Sequence, residues 1–365
     1  MAQRTKNVTN VDLLRVFLKL GTIGFGGPAA HIALMREEVV EKRGWLGKDE
    51  FFDLVGATNL IPGPNSTELA IHVGHRLGGW PGLAIAGAAF ILPAFLSVFA
   101  LAVLYVRFGT LPALGPVLSG IRPVIVAIVF LALMKFRESA VRGPREAAVA
   151  ALALGLAYLG FSEVAVIFLA GALLAGAGKF SVAPLALAAP TAPAAGGGVF
   201  LFFLKVGSVL FGSGYVLLAF LKNELVDERG WLTATQLLDA VSVGQFTPGP
   251  VFTTATFIGY LLQGGTGAVL ATLGIFLPSF VFVAASAPFL PRLRSSPGLS
   301  RFLDGVNAAS FALMALVTVE LGAKSVVSYP TAAIALAALG VLKFTRLNSA
   351  WPILAGGLVG ALALR

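Results

Sequence analysis

Apolar residues run through this chain in long blocks separated by short polar or glycine- and proline-rich breaks. The blocks fall near 11–35, 51–75, 80–106, 112–136, 146–160 and 162–178, then near 198–221, 237–262, 265–290, 302–320, 325–342 and 347–364. They are continuous rather than alternating, and Leu, Ala and Val dominate them, so they predict helices and not barrel strands. A helix needs about 20 apolar residues to cross a bilayer. The pattern therefore predicts an all-α polytopic membrane protein.

The pattern also repeats. Phe17-Leu18-Lys19, Gly21 and Phe25-Gly26 return as Phe203-Leu204-Lys205, Gly207 and Phe211-Gly212. Arg43-Gly44-Trp45-Leu46 returns as Arg229-Gly230-Trp231-Leu232, and Pro62-Gly63-Pro64 as Pro248-Gly249-Pro250. From Phe17 to Pro64, 18 of 48 positions are identical at an offset of 186. After one deletion the offset becomes 185, where Leu92-Pro93 meets Leu277-Pro278. Chance likeness between apolar helices does not bring Trp, Lys, Arg and two proline motifs into register, so the chain is read as a duplication. The expected division is an N-terminal repeat over 1–178, a linker rich in Pro, Ala and Gly over 179–198, and a C-terminal repeat over 199–365.

Charge orients the halves. The loop at 135–146 holds Lys135, Arg137, Arg142 and Arg145, whereas 105–112 holds only Arg107. In the second half 290–301 holds Arg292, Arg294 and Arg301, and 320–330 holds only Lys324. The bias swaps between equivalent loops, so the positive-inside rule predicts inverted-topology repeats. Inversion needs an odd number of spans per half. About five spans are therefore expected in each, with one broken or re-entrant hairpin at Pro-Gly-Pro. Composition agrees: 57% of residues are hydrophobic, 12% are charged, and mean hydropathy is +0.90. Half the charge of a soluble protein excludes a soluble enzyme or a disordered chain. The net charge of +9 marks cytoplasmic loops rather than a nucleic-acid surface. No cysteine is present, which excludes disulfides and thiolate chemistry. Met1 to Asn10 lacks the marks of a cleaved signal peptide.

Pro62, Gly63 and Pro64, like Pro248, Gly249 and Pro250, should end one helix and start another inside the membrane. Such a break is tolerated where protein or a wet cavity satisfies the freed backbone groups. The helix starting there presents free N–H groups and a positive dipole end, a setting for an anion. Asn65, Ser66 and Thr67, and in the second copy Thr253 and Thr254, add side-chain donors. The alternative is a kinked helix that these residues merely cap. Gly26 and Gly27, with Gly212 and Ser213, mark a second matched break, suited either to close helix packing or to backbone contact with substrate. Lys19 and Lys205 are embedded in apolar sequence and would either balance a dianion or snorkel to an interface. The Arg-Gly-Trp loops read as interfacial anchors, and Arg36 and Lys222 as cations at a mouth. Glu68 has capping-box spacing from Asn65; otherwise it and His31 are candidates for coupling proton to anion movement. His72 and His75 also titrate near neutrality, but none of the three histidines has a His counterpart in the second copy. No metal-ligand spacing, Walker loop or nucleophile elbow is present, so no cofactor and no enzymatic activity are expected.

Phe17-Leu18-Lys19-Leu20-Gly21, Gly24 to Pro28, Arg43-Gly44-Trp45-Leu46 and Leu60-Ile61-Pro62-Gly63-Pro64 together closely resemble the chromate ion transporter family, and the second copy resembles the C-terminal half of its two-domain members. The resemblance covers nearly the whole chain. It implies a multi-pass inner-membrane protein that expels chromate and confers resistance, with sulfate as a related oxyanion. It carries the motif positions onto Phe25, Gly26, Gly27, Pro28, Pro62, Gly63, Pro64 and Ser66, with Phe211, Gly212, Pro248, Gly249 and Pro250 in the second copy. A Gln often precedes Pro-Gly-Pro by three residues in the family. Asn59 stands there in the first half and Gln245 in the second. The partners expected are chromate or a related oxyanion and the lipid bilayer, with no nucleic acid; a homodimer is compatible with the sequence. The alternatives are a carrier for sulfate or another oxyanion, a channel-like anion pathway, and a membrane-embedded transferase.

Overall fold

The computed structural model describes residues 8–25, 27–108, 114–176, 197–211, 216–286, 296–345 and 347–364. The first half contains α1 (Asn10–Ile23), α2 (Pro28–Arg36), α3 (Lys48–Thr58), α4 (Asn65–Phe108), α5 (Leu114–Ala140), α6 (Pro144–Tyr158) and α7 (Glu163–Leu174). The second contains α8 (Gly197–Val209), α9 (Val216–Leu221), α10 (Ala234–Phe246), α11 (Thr254–Ser286), α12 (Pro297–Ser325), α13 (Tyr329–Phe344) and α14 (Ala350–Ala363). Short π-helical stretches, Glu37–Lys42 and Lys222–Glu228, extend α2 and α9 at matching positions. The expected linker lies outside the described residues except for its last two, which open α8.

The apolar blocks do not all form single long helices. Among the described residues, four helices are long and apolar enough to cross a membrane: 65–108, 115–140, 251–286 and 297–325. Each half thus has two such helices, with shorter apolar ones at 163–174, 198–209, 329–344 and 350–363, and it folds back at two hairpins rather than one. The block at 11–35 read as one span because its apolar content is continuous. It is two short helices: α1, at 14 residues, is only about 21 Å long at 1.5 Å per residue. Lys19 ion-pairs with Glu38, so the chain folds back after the break at 24–27. The second hairpin is α3 and the first arm of α4, with Pro-Gly-Pro at its tip.

Within α4 the chain turns again. Gly79 adopts φ +61° and ψ −149°, and Gly264 in α11 adopts φ +61° and ψ −148°. This left-handed conformation disfavours residues with a Cβ. The two arms press together so closely that a Cβ on Gly74 would strike the Gly82 carbonyl; Gly259 and Gly267 repeat the contact. The second arms of α4 and α11 lie antiparallel, with Phe280 against Gly87 and Phe99 near Gly265. The repeats are therefore inverted.

The tips meet between the halves through two reciprocal backbone hydrogen bonds. Gly249 N–H donates to Gly24 O at 2.7 Å, and Gly63 N–H donates to Leu210 O at 2.8 Å. Each position maps onto its counterpart at the offset of 186. The described end of the 290–301 loop lies on the same face as the 135–146 loop, where Arg142 Nη1 is 3.6 Å from Asp304 Oδ1.

Because the chain has no native cysteine, the pair Arg142→Cys/Asp304→Cys is expected to form a disulfide under mild oxidation, read as a mobility shift after cleavage of the intervening chain. Gly79→Ala should lower stability by about 1 kcal/mol. Gly74→Val should lower it more, because its added methyls meet backbone; thermal unfolding in detergent checks the order.

Candidate functional site: a vestibule ending at broken helices

A cavity of about 1200 Å³ opens on the cation-rich face. Its inner end is formed by the tips of the first half, Phe25, Pro28, Asn59 and Asn65, together with Phe211 from the second. Its outer walls carry Lys135 from α5, Arg142 from the loop after it, and Asp304 and Asn307 from α12. Two helices start at the inner end. In α4 the first intrahelical bonds run from the N–H groups of Thr67 and Glu68 to Pro64 O, at 2.8 and 3.1 Å. The N–H groups of Asn65 and Ser66 precede that first turn, as orphan donors do at any helix start. In α2 the first such bond runs from His31 N–H to Gly27 O, and Pro28 at the first position has no N–H to satisfy.

The side chains expected at this site divide into three groups. Asn65 alone of its run reaches the vestibule. Its amide donates to Asn59 Oδ1 at 2.8 Å, while its own Oδ1 has no partner. Ser66, Thr67 and Glu68 are buried behind it. The Thr67 hydroxyl and both Glu68 carboxylate oxygens have no hydrogen-bond partner. Glu68 does not close a capping box with Asn65. Its carboxylate and Ser279 Oγ instead crowd Gly63, where a Cβ would collide with the carboxylate. Gly63 has φ +136°, so both backbone and space demand glycine there.

The second group faces elsewhere. The two Pro-Gly-Pro tips do not share one cavity. Gln245 and Thr254 border a separate void of about 10 Å³, with Val129, Leu217, Leu218, Val241 and Val251. Thr253 and Thr254 donate their hydroxyls to the carbonyls of Pro250 and Val251, both at 2.8 Å, so both hydroxyl protons are used within their own turn. Gln245 Nε2 has no partner. His31 Nε2 donates to Gly24 O at 2.9 Å, the same carbonyl that accepts Gly249 N–H.

The third group is the intramembrane lysines, which are not open cations. Lys19 pairs with Glu38, and Arg43 Nε approaches the same carboxylate at 3.3 Å. Lys205 Nζ lies 2.7 Å from Glu224 Oε1, with Arg229 Nη2 at 3.3 Å from Oε2. Arg43 stacks over Trp45 and Arg229 over Trp231, at 5.0 and 5.1 Å. Both glutamates are buried, and an unpaired buried charge is costly. That explains why Lys, Arg and Trp travel together in both copies: they hold a hairpin base. Gly27 has φ +79° and opens α2; Gly26, Gly212 and Ser213 lie outside the described residues.

A buried ion-pair network escaped the sequence reading. Arg122 forks onto Asp239, with Nε 2.9 Å from Oδ1 and Nη2 3.0 Å from Oδ2. Tyr105 Oη donates to Asp239 Oδ2 at 2.9 Å. An Arg in the middle of an apolar helix was the available signal.

The chromate transporter family model matches residues 11–177 and 197–361. The chain belongs to the chromate transporter family. It is 34% identical to a chromate transport protein of Cupriavidus metallidurans, over 96% of this chain and 92% of that one. It is 33% identical to a chromate transport protein of Pseudomonas aeruginosa, over 96% and 91%. A probable chromate transport protein of Synechococcus elongatus is also 33% identical, over 90% and 88%. No solved structure matches the chain. In this family member, the two proline motifs sit at unequal sites, one open to a large vestibule and the other packed.

Lys205→Ala should destabilise the fold by leaving Glu224 with one cation fewer, and Glu224→Gln in the same chain should restore part of the loss. Unfolding midpoints of the single and double variants check this, as does the parallel pair Lys19→Ala and Glu38→Gln.

Proposed function

We propose that this transporter-family chain is a secondary carrier that exports chromate, or a related tetrahedral oxyanion, across the inner membrane and so confers chromate resistance. The observation carrying this reading is a cation-lined vestibule that ends, deep in the fold, at two helix starts. Orphan N–H groups and the positive dipole ends of α2 and α4 suit an anion. Lys135 and Arg142 raise its concentration at the mouth. The positive-inside rule makes the cation-rich face cytoplasmic, so the vestibule loads from the cell interior. A dianion leaving a cell that is negative inside gains about 4.6 kcal/mol at 100 mV. That drive needs no ATP.

In this reading Asn65 and the N–H groups of Asn65 and Ser66 contact the oxyanion, with Asn59 orienting Asn65. Gln245, Thr253 and Thr254 form the matching station of the second half. Glu68 is the coupling residue. One turn behind the anion and without a partner, its carboxylate would repel the substrate if ionised in a dry core, so a proton on Glu68 accompanies anion binding. His31 serves the tip contact rather than the anion. The name carried by the relatives favours chromate over sulfate; backbone donors alone discriminate poorly between two tetrahedral dianions.

Asn65→Asp tests the site cleanly. A carboxylate at a helix N-terminus favours the fold but repels an oxyanion. Chromate flux from loaded proteoliposomes is expected to fall about tenfold or more, as the loss of about 1.4 kcal/mol of anion binding would produce, with the unfolding midpoint unchanged or raised. Unchanged flux would remove the α4 start from the pathway. Collapsing an imposed potential should slow efflux from the same vesicles.

A further inference from the structure

Among the described residues, the opposite, cation-poor face shows no cavity to match the vestibule. There the long helices are tied to the second-half hairpins at two points. Arg122 of α5 and Tyr105 of α4 hold Asp239 of α10. Lys222, after α9, ion-pairs with Glu320 of α12 and with Asp227 at 2.7 Å. Tyr105 and Glu320 lie toward the ends of α4 and α12, and Arg122 lies near the start of α5, away from the parts of α5 and α12 that line the vestibule. On this side, among the described residues, a small void of about 10 Å³ lies beside Gln245 and Thr254.

The duplication supplies an internal control. Lys222 maps onto Arg36 and Asp227 onto Glu41 at the offset of 186, and Arg36 Nε does pair with Glu41 at 3.1 Å. At the offset of 185, Glu320 maps onto Lys135. Where the second half sets a lysine against a glutamate, the first sets an arginine against a lysine. Likewise Asp239 maps onto Asp53, but Arg122 maps onto Asn307, an amide that bears no charge. Lys135 and Asn307 both line the open vestibule. The mouth that is shut thus has two charge pairs. At the mouth that is open, one pair is replaced by like charges, and the other has the amide of Asn307 where the arginine would be.

We infer that Arg122–Asp239, with Tyr105, and Lys222–Glu320 are the bolts of the cation-poor mouth, and that the anion leaves by that side only when they part. This rests on the carrier reading above for its purpose, but its geometry does not depend on the substrate. The like charges at Arg36 and Lys135 oppose an equally tight closure of the other mouth, so the vestibule-open state is the resting one. The two closures are exclusive in a carrier that rocks about a central site, so loosening one mouth must tighten the other.

The absence of native cysteine makes the test direct. Leu218→Cys reports on the sealed void and Ser139→Cys on the vestibule. Each is placed separately in the full chain, reconstituted in one orientation, and labelled with a membrane-impermeant maleimide from its own face. Asp239→Asn is expected to speed Leu218→Cys labelling about tenfold, the scale of shift expected when a buried charge pair biasing two states is lost, and to slow Ser139→Cys labelling. The swap Arg122→Asp/Asp239→Arg should return both rates toward the starting values. Glu320→Gln leaves Lys222 its Asp227 partner and should give the same reciprocal shift, so the inference does not hang on one variant folding. Faster labelling at both reporters would mean general loosening and would overturn it. No change at either reporter, in Asp239→Asn or in Glu320→Gln, would also overturn it. Failure of chromate flux alone, with the reciprocal labelling intact, would count against the substrate and not against the bolts.

Discussion

Breaking a helix inside a membrane frees backbone groups that lipid cannot satisfy, and the whole fold is organised around that cost. Each half breaks its chain twice, at the Gly-rich turn after α1 and at Pro-Gly-Pro. The partner for one half's broken strand of backbone is the other half's: Gly249 N–H finds Gly24 O, and Gly63 N–H finds Leu210 O. Neither half closes this exchange alone. An unpaired amide or carbonyl in an apolar setting costs several kcal/mol, so the two bonds fix both the depth of the tips and the register of the halves. The hairpin lengths, the antiparallel run of the second arms of α4 and α11, and the position of the vestibule floor all follow.

The charged motifs serve this arrangement from the base of each hairpin. Lys19, Glu38, Arg43 and Trp45 form one clamp, and Lys205, Glu224, Arg229 and Trp231 the other. Their charges neutralise one another around buried glutamates, so in the proposed carrier anion recognition falls to backbone dipoles and to the amides of Asn59 and Asn65. That division of labour fits a carrier. A fixed cation at the floor would hold a dianion strongly, whereas dipoles bind it weakly enough to let go.

Much of this was legible in the residues. Matched prolines and glycines located both tips, and the swap of cationic loops gave the inversion. The hairpins at 11–35 and 51–75 were not legible as hairpins, because each block carries the apolar content of a crossing while folding back at a few residues. Hydropathy measures how much chain avoids water, not where it turns. The unequal roles of the two Pro-Gly-Pro motifs were hidden for a related reason: identical motifs imply identical local structure but not identical neighbours. Asn65 meets a cavity because α5 and α12 stand apart beside it. Thr254 meets Val129 and Leu217 because the equivalent walls are drawn together. Arg122 and Asp239 could have been paired from their intramembrane placement, though only the folded chain shows that they cross between halves.

Covalent fusion of the two copies has a consequence of its own. An assembly of two identical halves would present the same residues at either entrance and would sit indifferently between its two orientations. Once joined, each copy accumulates its own changes, and here Glu320 faces one lysine while its twin position, Lys135, has become a lysine itself. In the proposed carrier, the Glu320/Lys135 and Arg122/Asn307 positions bias a symmetric rocker toward one orientation at rest, with the bias written in side chains rather than in the backbone.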